Sequence, residues 1–417
     1  MSMSKTLIRE SRFMARDRAV LIWMLVVFCL SSLAVWSGSV EVQHQRDTIA
    51  HLLEIDQQDR SKEFLGQSDW GGAAYYSFHF TYDSPSDFAF AALGQRDILP
   101  WQHRIRILAL EGQIYEQDAG NPELALIGRF DFVFLAAFVL PLVLIFLLHD
   151  LRVSERVAGR YDLLVATLGL DKSLWLTRAF LRSGGIFIAA VIPLTIAGII
   201  SSTLPQTLLA AIGLVLVYLA FWALVCLWFA SWQRSASVIL ASLIGLWLLL
   251  SAIVPASGRM IIDRAVPVPS GAEILMTQRE TVNDAWDLPK EATMQPFFER
   301  YPEWSGTSEV TIPFEWKWYY AFQQVGDQET EELSSAYMTG RVERDRLAGM
   351  LSVLTPPALF ERLFQKLAAT DVSSAIAYEN EVRAFHAELR AFYYPGLFGD
   401  EPFDVSAIEY LPKFIAE

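Results

Sequence analysis

The stretch RVSERVAGRYDLLVATLGLDKSLWLTR, residues 152–178, sets Arg152, Arg156, Arg160, Lys172 and Arg178 between two strongly apolar blocks. With that charge it does not itself cross hydrocarbon. The blocks on either side, FVFLAAFVLPLVLIFLL (132–148) and GGIFIAAVIPLTIAGIISSTL (184–204), hold no Lys, Arg, Asp or Glu. A helix needs roughly 17–25 apolar residues to span a bilayer, and both blocks fall in that range. The polar stretch is therefore a connection between two spans.

Working outward, three more runs qualify: AVLIWMLVVFCLSSLAVW (19–36), 207–230 and 237–254. The only prolines in the five are Pro141 and Pro193, which neighbouring helices can accommodate. Trp23, Trp36 and Trp232 lie at or near run ends, where an aromatic belt would sit. Only 19% of residues are charged, against about a quarter in soluble domains, and mean hydropathy is +0.30. A net charge of −14 argues against a nucleic-acid binder, which needs a basic face for phosphate. Cys29 and Cys226 sit inside apolar runs and read as buried small hydrophobes rather than a disulfide. The first run is longer than a signal-peptide core and follows 18 mostly polar residues, so it reads as an uncleaved anchor.

Loop charge sets orientation, because Lys and Arg are retained on the cytoplasmic side. Residues 1–18, the 149–183 connection and Arg234 carry 12 basic residues, all on one side if the N-terminus is cytoplasmic. Residues 37–129 carry 7 basic and 14 acidic residues, and residues 257–417 carry 14 and 26. These two regions hold a net −19 and the rest of the chain +5, which places the negative charge outside.

The chain divides accordingly. Residues 1–18 form a cytoplasmic interfacial helix, 19–36 a span, 37–131 a first extracytoplasmic region and 132–148 a second span. Residues 149–183 form a cytoplasmic coupling segment, 184–256 three further spans, and 257–417 a second extracytoplasmic region. The first external region opens with a polar helix and continues into the aromatic segment GGAAYYSFHF. From about 314 to 352 the second lacks proline and reads as a helix of about 58 Å at 1.5 Å per residue, which Gly326, Gly340 or Gly349 could break or kink. Pro356 and Pro357 start another helix, and Asp371 caps one running to about Phe392.

No catalytic constellation is visible. HExxH, GxSxG and GxxxxGK[ST] are all absent. The histidines are scattered, and His44 and His51, seven apart, read as a solvated helix face rather than a metal pair. Asp131, an ionisable group at a span edge, is a candidate functional residue; it also reads as a boundary marker. If ATP drives this protein, another subunit must bind it.

The 152–178 stretch resembles the permease subunits of ABC-2-type (type V) ABC transporters. Their pattern of acid and base, glycine, a leucine pair and a basic residue heading the next span is matched by Glu155-Arg156, Gly159, Leu163-Leu164, Lys172 and Arg178. Arg160 stands where threonine commonly follows the glycine, and the usual proline before the basic residue is replaced by ATLGLDKS. LGQRDILPW (93–101), NPELALIGRFDFVFLAAFVLPL (121–142) and the segment 354–392 are similar to a subfamily of unknown function with large extracytoplasmic insertions.

The resemblance implies an α-helical polytopic protein of a bacterial inner membrane. It would have five transmembrane helices, a sixth expected from relatives, and a mostly helical extracytoplasmic domain built from two insertions. It implies ATPase coupling through Glu155, Arg156, Gly159 and Arg160, with Glu155 and Arg156 in polar contact with the ATPase and Gly159 permitting a turn or close approach. The partners would be two cytoplasmic ABC ATPase subunits holding ATP and Mg, a second permease (identical or paralogous), the lipid bilayer and a periplasmic partner. No cofactor or metal is expected in this chain. The competing readings are a membrane-anchored sensor or scaffold without ATPase coupling and a membrane-anchored enzyme.

Overall fold

Five helices in the computed structural model are long and apolar enough to cross a membrane: Arg18–Leu65, Phe132–Val157, Leu174–Ile200, Pro205–Ala230 and Ala236–Ala265. The structure describes residues 3–116, 130–168, 171–306, 310–399 and 401–416, and the sixth span that the resemblance implies is not among them. The five pack as one bundle around small and aliphatic side chains such as Val27, Ala34, Leu140, Leu144, Ala190, Leu194, Ala211 and Leu243. Lipid offers helices no hydrophobic driving force toward one another, so close packing of small side chains must hold them. Within its most apolar stretch the second helix is 67% buried and the fifth only 11%, so the second is the axis of the bundle and the fifth its flank.

Two prolines shape the bundle. Pro141 has no N–H for the Ala137 carbonyl four residues earlier. There the helix widens into a π-helical turn, Leu135–Val139, and Tyr218 Oη donates to the Ala137 oxygen at 2.6 Å. Pro255 likewise follows a π-helical turn, Leu249–Ile253. Near Pro193, Ser31 Oγ donates to the Ala190 carbonyl at 2.7 Å, joining the first and third helices.

Several boundaries differ from the sequence reading. The third helix starts at Asp171, not 184, so Arg178 and Arg182 project from a helix rather than a loop. The fifth continues to Ala265 because its last turns rest on the distal lobe. The first span and the polar stretch after it are one helix of 48 residues, about 72 Å long. Within it Gly38 lets the neighbouring backbone approach: a Cβ there would lie 1.9 Å from the Phe90 carbonyl oxygen. The helix Trp316–Ser352 is unbroken. Its Gly326 and Gly340 admit Val282 and Val268. Cys226 is buried as expected, whereas Cys29 is exposed on the outer face of the bundle.

The distal lobe is assembled from residues of both long insertions. A two-stranded antiparallel sheet pairs His79–Tyr82 with Gln102–Ile105, His79 opposite Ile105. The helix Val372–Phe398 lies against it through Tyr378 and Phe385, and the helices Gly271–Asp284, Lys290–Arg300 and Trp316–Ser352 complete the lobe. The lobe core is aromatic: Phe64, Trp70, Phe297, Trp318, Tyr320, Phe322, Tyr393 and Phe398 are buried together. Phe297 stacks on Phe398 at 4.3 Å. Charged groups inside this core are paired, as burial requires: Arg390 with Asp327 at 2.6 Å, and Arg383 with Glu111 through both carboxylate oxygens.

A collar joins the two parts. The helix Pro356–Leu367 inserts Phe360 and Phe364 into the bundle core, where Phe360 stacks on Tyr218 at 4.5 Å. Beside it, residues 86–95 are stitched to the turn after that helix. Ser86 Oγ donates to the Ala368 carbonyl, Thr370 Oγ1 to the Ala92 carbonyl, and Gln95 N to the Thr370 carbonyl. Buried Arg96, from the LGQRDILPW segment, donates to Gln45 on the long first helix and to Asp83.

Candidate functional site

At the end of the bundle away from the lobe, two separate segments converge on Arg178 of the third apolar helix. The N-terminal helix Met3–Met14 is amphipathic and turns Glu10 inward until its side chain is only 4% exposed. The short helix Val153–Val157 brings Glu155. Arg178 Nε donates to Glu10 Oε2 and its Nη1 to Glu155 Oε1, both at 2.9 Å. One guanidinium thus ties residues 168 and 23 positions away, and its planar fork suits two carboxylates held on different elements. One turn further along, Arg182 donates to the Leu147 carbonyl at 2.6 Å and to Asp17 at 3.3 Å. These side chains line a cavity of about 600 Å³.

Gly159 closes the short helix. Its φ is +68°, and the two bonds of a Schellman cap are present, Gly159 N to the Arg156 carbonyl and Arg160 N to the Glu155 carbonyl. A Cβ there would meet nothing within 4 Å, so the glycine serves the left-handed turn and not a close approach. The cap turns the chain back on itself, and Arg160 Nε donates to Glu155 Oε2 at 2.8 Å. Glu155 therefore has both carboxylate oxygens engaged within the chain.

Aromatic faces extend the junction. Tyr161 stacks on buried Trp175 at 6.0 Å, Arg156 lies 4.7 Å over the Tyr161 ring, and Arg178 lies 5.3 Å from the Trp175 ring centre. The tip of the turn remains open: Ala158, Gly159 and Arg160 are exposed, and Val157 is 84% exposed.

The sequence-derived residues Glu155, Arg156, Gly159 and Arg160 thus sit together, with Glu155 inward and the others at the surface or half-buried. Glu10, Trp175 and Tyr161 were missed. Glu10 carried one signal, an acidic residue within an otherwise basic amphipathic helix. Leu163 is exposed and Leu164 packs on the bundle. The side chains of Leu168, Gly169, Leu170 and Lys172 lie outside the described residues, as do residues 121–129 of the second family-like segment.

Asp131 is at the opposite end. It caps the second apolar helix, accepting from Phe134 N at 2.9 Å through Oδ1 and from Leu93 N at 3.0 Å through Oδ2. Burial pushes its carboxyl up to about 6. Both oxygens being taken, it works as a clasp between the bundle and the collar. No group of three or more His, Cys, Asp or Glu able to hold a metal occurs among the described residues.

Residues 272–417 match a family model described as a domain of unknown function, DUF3526. The DUF3526 segment covers about a third of the chain and includes much of the distal lobe and the collar helix, but not the Arg178 junction. No curated protein and no solved structure matches the chain.

Proposed function

We propose that this chain is the membrane-spanning permease subunit of an ATP-driven transporter of the ABC-2 type. In this reading the N-terminus is cytoplasmic, the membrane is a bacterial inner membrane and the distal lobe is extracytoplasmic. Two ATPase subunits hold ATP and Mg, and a second permease, identical or paralogous, completes the bundle. The cycle either exports a substrate or does mechanical work on an extracytoplasmic partner through the lobe.

The observation that carries the reading is the Arg178 junction. It fastens the N-terminal helix, the short helix bearing the exposed Val157 tip and the third apolar helix into one body. A push on that tip reaches the bundle through ion pairs that are largely shielded from water, and so weakened little by salt. Because Glu155 is bound internally, its role is reassigned from contacting the ATPase to holding Arg178; Val157, Arg156 and Arg160 become the contact surface.

The test is copurification of the full-length protein in mild detergent with its nucleotide-binding subunit. Val157→Asp is expected to reduce the bound ATPase at least about tenfold, the scale of losing one central anchor worth more than 1 kcal/mol. Glu155→Ala with Arg156→Ala is expected to lower permease-stimulated ATP hydrolysis while membrane insertion is unchanged. Undiminished binding and stimulation in both variants would remove the junction from the coupling path.

A second reading, a membrane-anchored sensor, is favoured by one feature. The distal lobe holds a cavity of about 650 Å³ lined by Gln324, Ser334, Arg390 and Tyr394, a size and chemistry suited to a small polar ligand. Copurification without any nucleotide-binding subunit would support it.

A further inference from the structure

Where the fifth apolar helix leaves the bundle, a groove of about 440 Å³ runs between its extension Val254–Ala265, the end of the helix Trp316–Ser352, and the helix Pro356–Leu367. Four arginines line it, Arg259, Arg341, Arg344 and Arg362, against two carboxylates, Asp263 and Asp345. Arg362 is bound by Asp345 through both oxygens, Arg344 by Asp263 and the Val266 carbonyl, and Arg341 by Glu379 behind the groove. Arg259 reaches Asp263 only at 3.8 Å and is otherwise exposed. This is a local positive excess in sequence regions that together carry −19.

Much of the rest of the lining is apolar, with Pro255, Ile262, Ala348 and Leu351, beside the polar Gln95, Ser352 and Thr355. Leu351 packs so closely on the fifth helix that a Cβ at Gly258 would lie 1.8 Å from it. Around the groove, Ile253, Met260 and Ile261 on one helix and Met350, Val353 and Leu354 on and just beyond the other are exposed apolar side chains. Apolar residues exposed on two neighbouring elements at the end of a membrane-length helix mark the level of the hydrocarbon boundary. The groove therefore opens at the depth of lipid headgroups.

We propose that this groove is a binding site for an anionic glycerophospholipid, whose phosphate faces Arg259, Arg344 and Arg362 and whose acyl chain lies along Ile262, Ala348 and Leu351. Guanidinium forks suit phosphate oxygens, the apolar floor suits methylenes, and the continuity of the site with the bundle surface gives a lipid, rather than a free phosphate ester, its route of entry. The inference rests on the groove alone and stands or falls independently of ATPase coupling.

The experiment is native mass spectrometry of the delipidated full-length protein with added dioleoyl-phosphatidylglycerol, dioleoyl-phosphatidylcholine or glycerol phosphate. One phosphatidylglycerol is expected to be retained in preference to phosphatidylcholine, with glycerol phosphate failing to compete. Ala348→Trp, which fills the groove without changing charge, should abolish the preference. Arg259→Gln, at an exposed position that leaves the fold intact, should reduce it about fivefold, the effect of one basic residue near an anionic headgroup. Equal retention of the two lipids overturns the proposal, as does a preference unchanged in both variants or full competition by glycerol phosphate; the last reassigns the groove to a soluble phosphate ester.

Discussion

The bundle and the distal lobe solve the same packing problem with different residues. The bundle core is mostly Ala, Val, Leu and Ile, with Phe132, Trp175, Tyr218 and Trp222 set among them, and few polar bonds join its helices. The lobe core is Phe, Tyr and Trp, threaded by buried arginine–carboxylate pairs and by His79, His103 and His386. In water, burying one large aromatic removes 150–250 Å² of surface and drives folding. In lipid that gain is missing, and intimate contact between small side chains replaces it. The boundary between the two regimes is the collar, where Phe360 and Phe364 carry the lobe's chemistry into the bundle's core.

The contrast can be broken most forcefully at Phe297. It is fully buried and packs on Phe398, Tyr301 and Tyr394. Phe297→Ala is expected to cost the lobe about 3–5 kcal/mol. Hydrogen exchange should then rise across Val372–Phe398 while Leu174–Ile200 stays protected. Equal loss in both would show that the two cores fold as one unit.

Acid should separate the regions next. Burial holds the His79 imidazole at about 3 and His103 at about 4, and keeps His386 well below its ordinary range. Unfolded histidine titrates near 6.5, so below that pH the unfolded lobe takes up protons that the folded lobe refuses. This stability is present above pH 6.5 and is lost as pH falls toward the folded values. At pH 5 the loss amounts to about 2 kcal/mol for each of His79 and His103. Glu361 in the collar runs the other way. Burial, assisted by the nearby Asp131 charge, pushes its carboxyl up to about 7. Its contribution is complete below the ordinary carboxylate range and is lost as pH rises through 7. Thermal melts between pH 5 and 8 should show the lobe failing on the acid side, and Glu361→Gln should flatten the alkaline slope.

The smallest effect belongs to the bundle. Tyr218→Phe removes the hydroxyl that serves the Ala137 carbonyl at the Pro141 break. Polar bonds between membrane helices average about 0.6 kcal/mol, so the melting shift in detergent should be slight. A loss of several kcal/mol would show that this bond, rather than apolar packing, secures the second helix.

Much of this was legible in the residues. The uncharged runs all form helices, though three of those helices extend well past the expected ends. The long helix ending near 352 and the helix starts at Pro356 and Asp371 depend on local composition and caps, and appear within a few residues of their expected places. Less was legible where a residue serves a distant partner. Gly326 and Gly340 look like breaks in one dimension and are contact points in three. Of the candidate coupling residues, sequence located the turn at Gly159, but not that Glu155 would be bound inward by a side chain 23 residues on.

By itself, then, the sequence determined the five apolar helices, their order and the polar turn between the second and third, because length, charge and glycine conformation act over a few residues. Only the tertiary structure decided that Glu10, Glu155 and Arg178 meet, that residues 88–93 and 356–368 enter the bundle core, and that four arginines share one groove. Those outcomes depend on which surfaces face each other once backbones pack, and no local pattern encodes the facing.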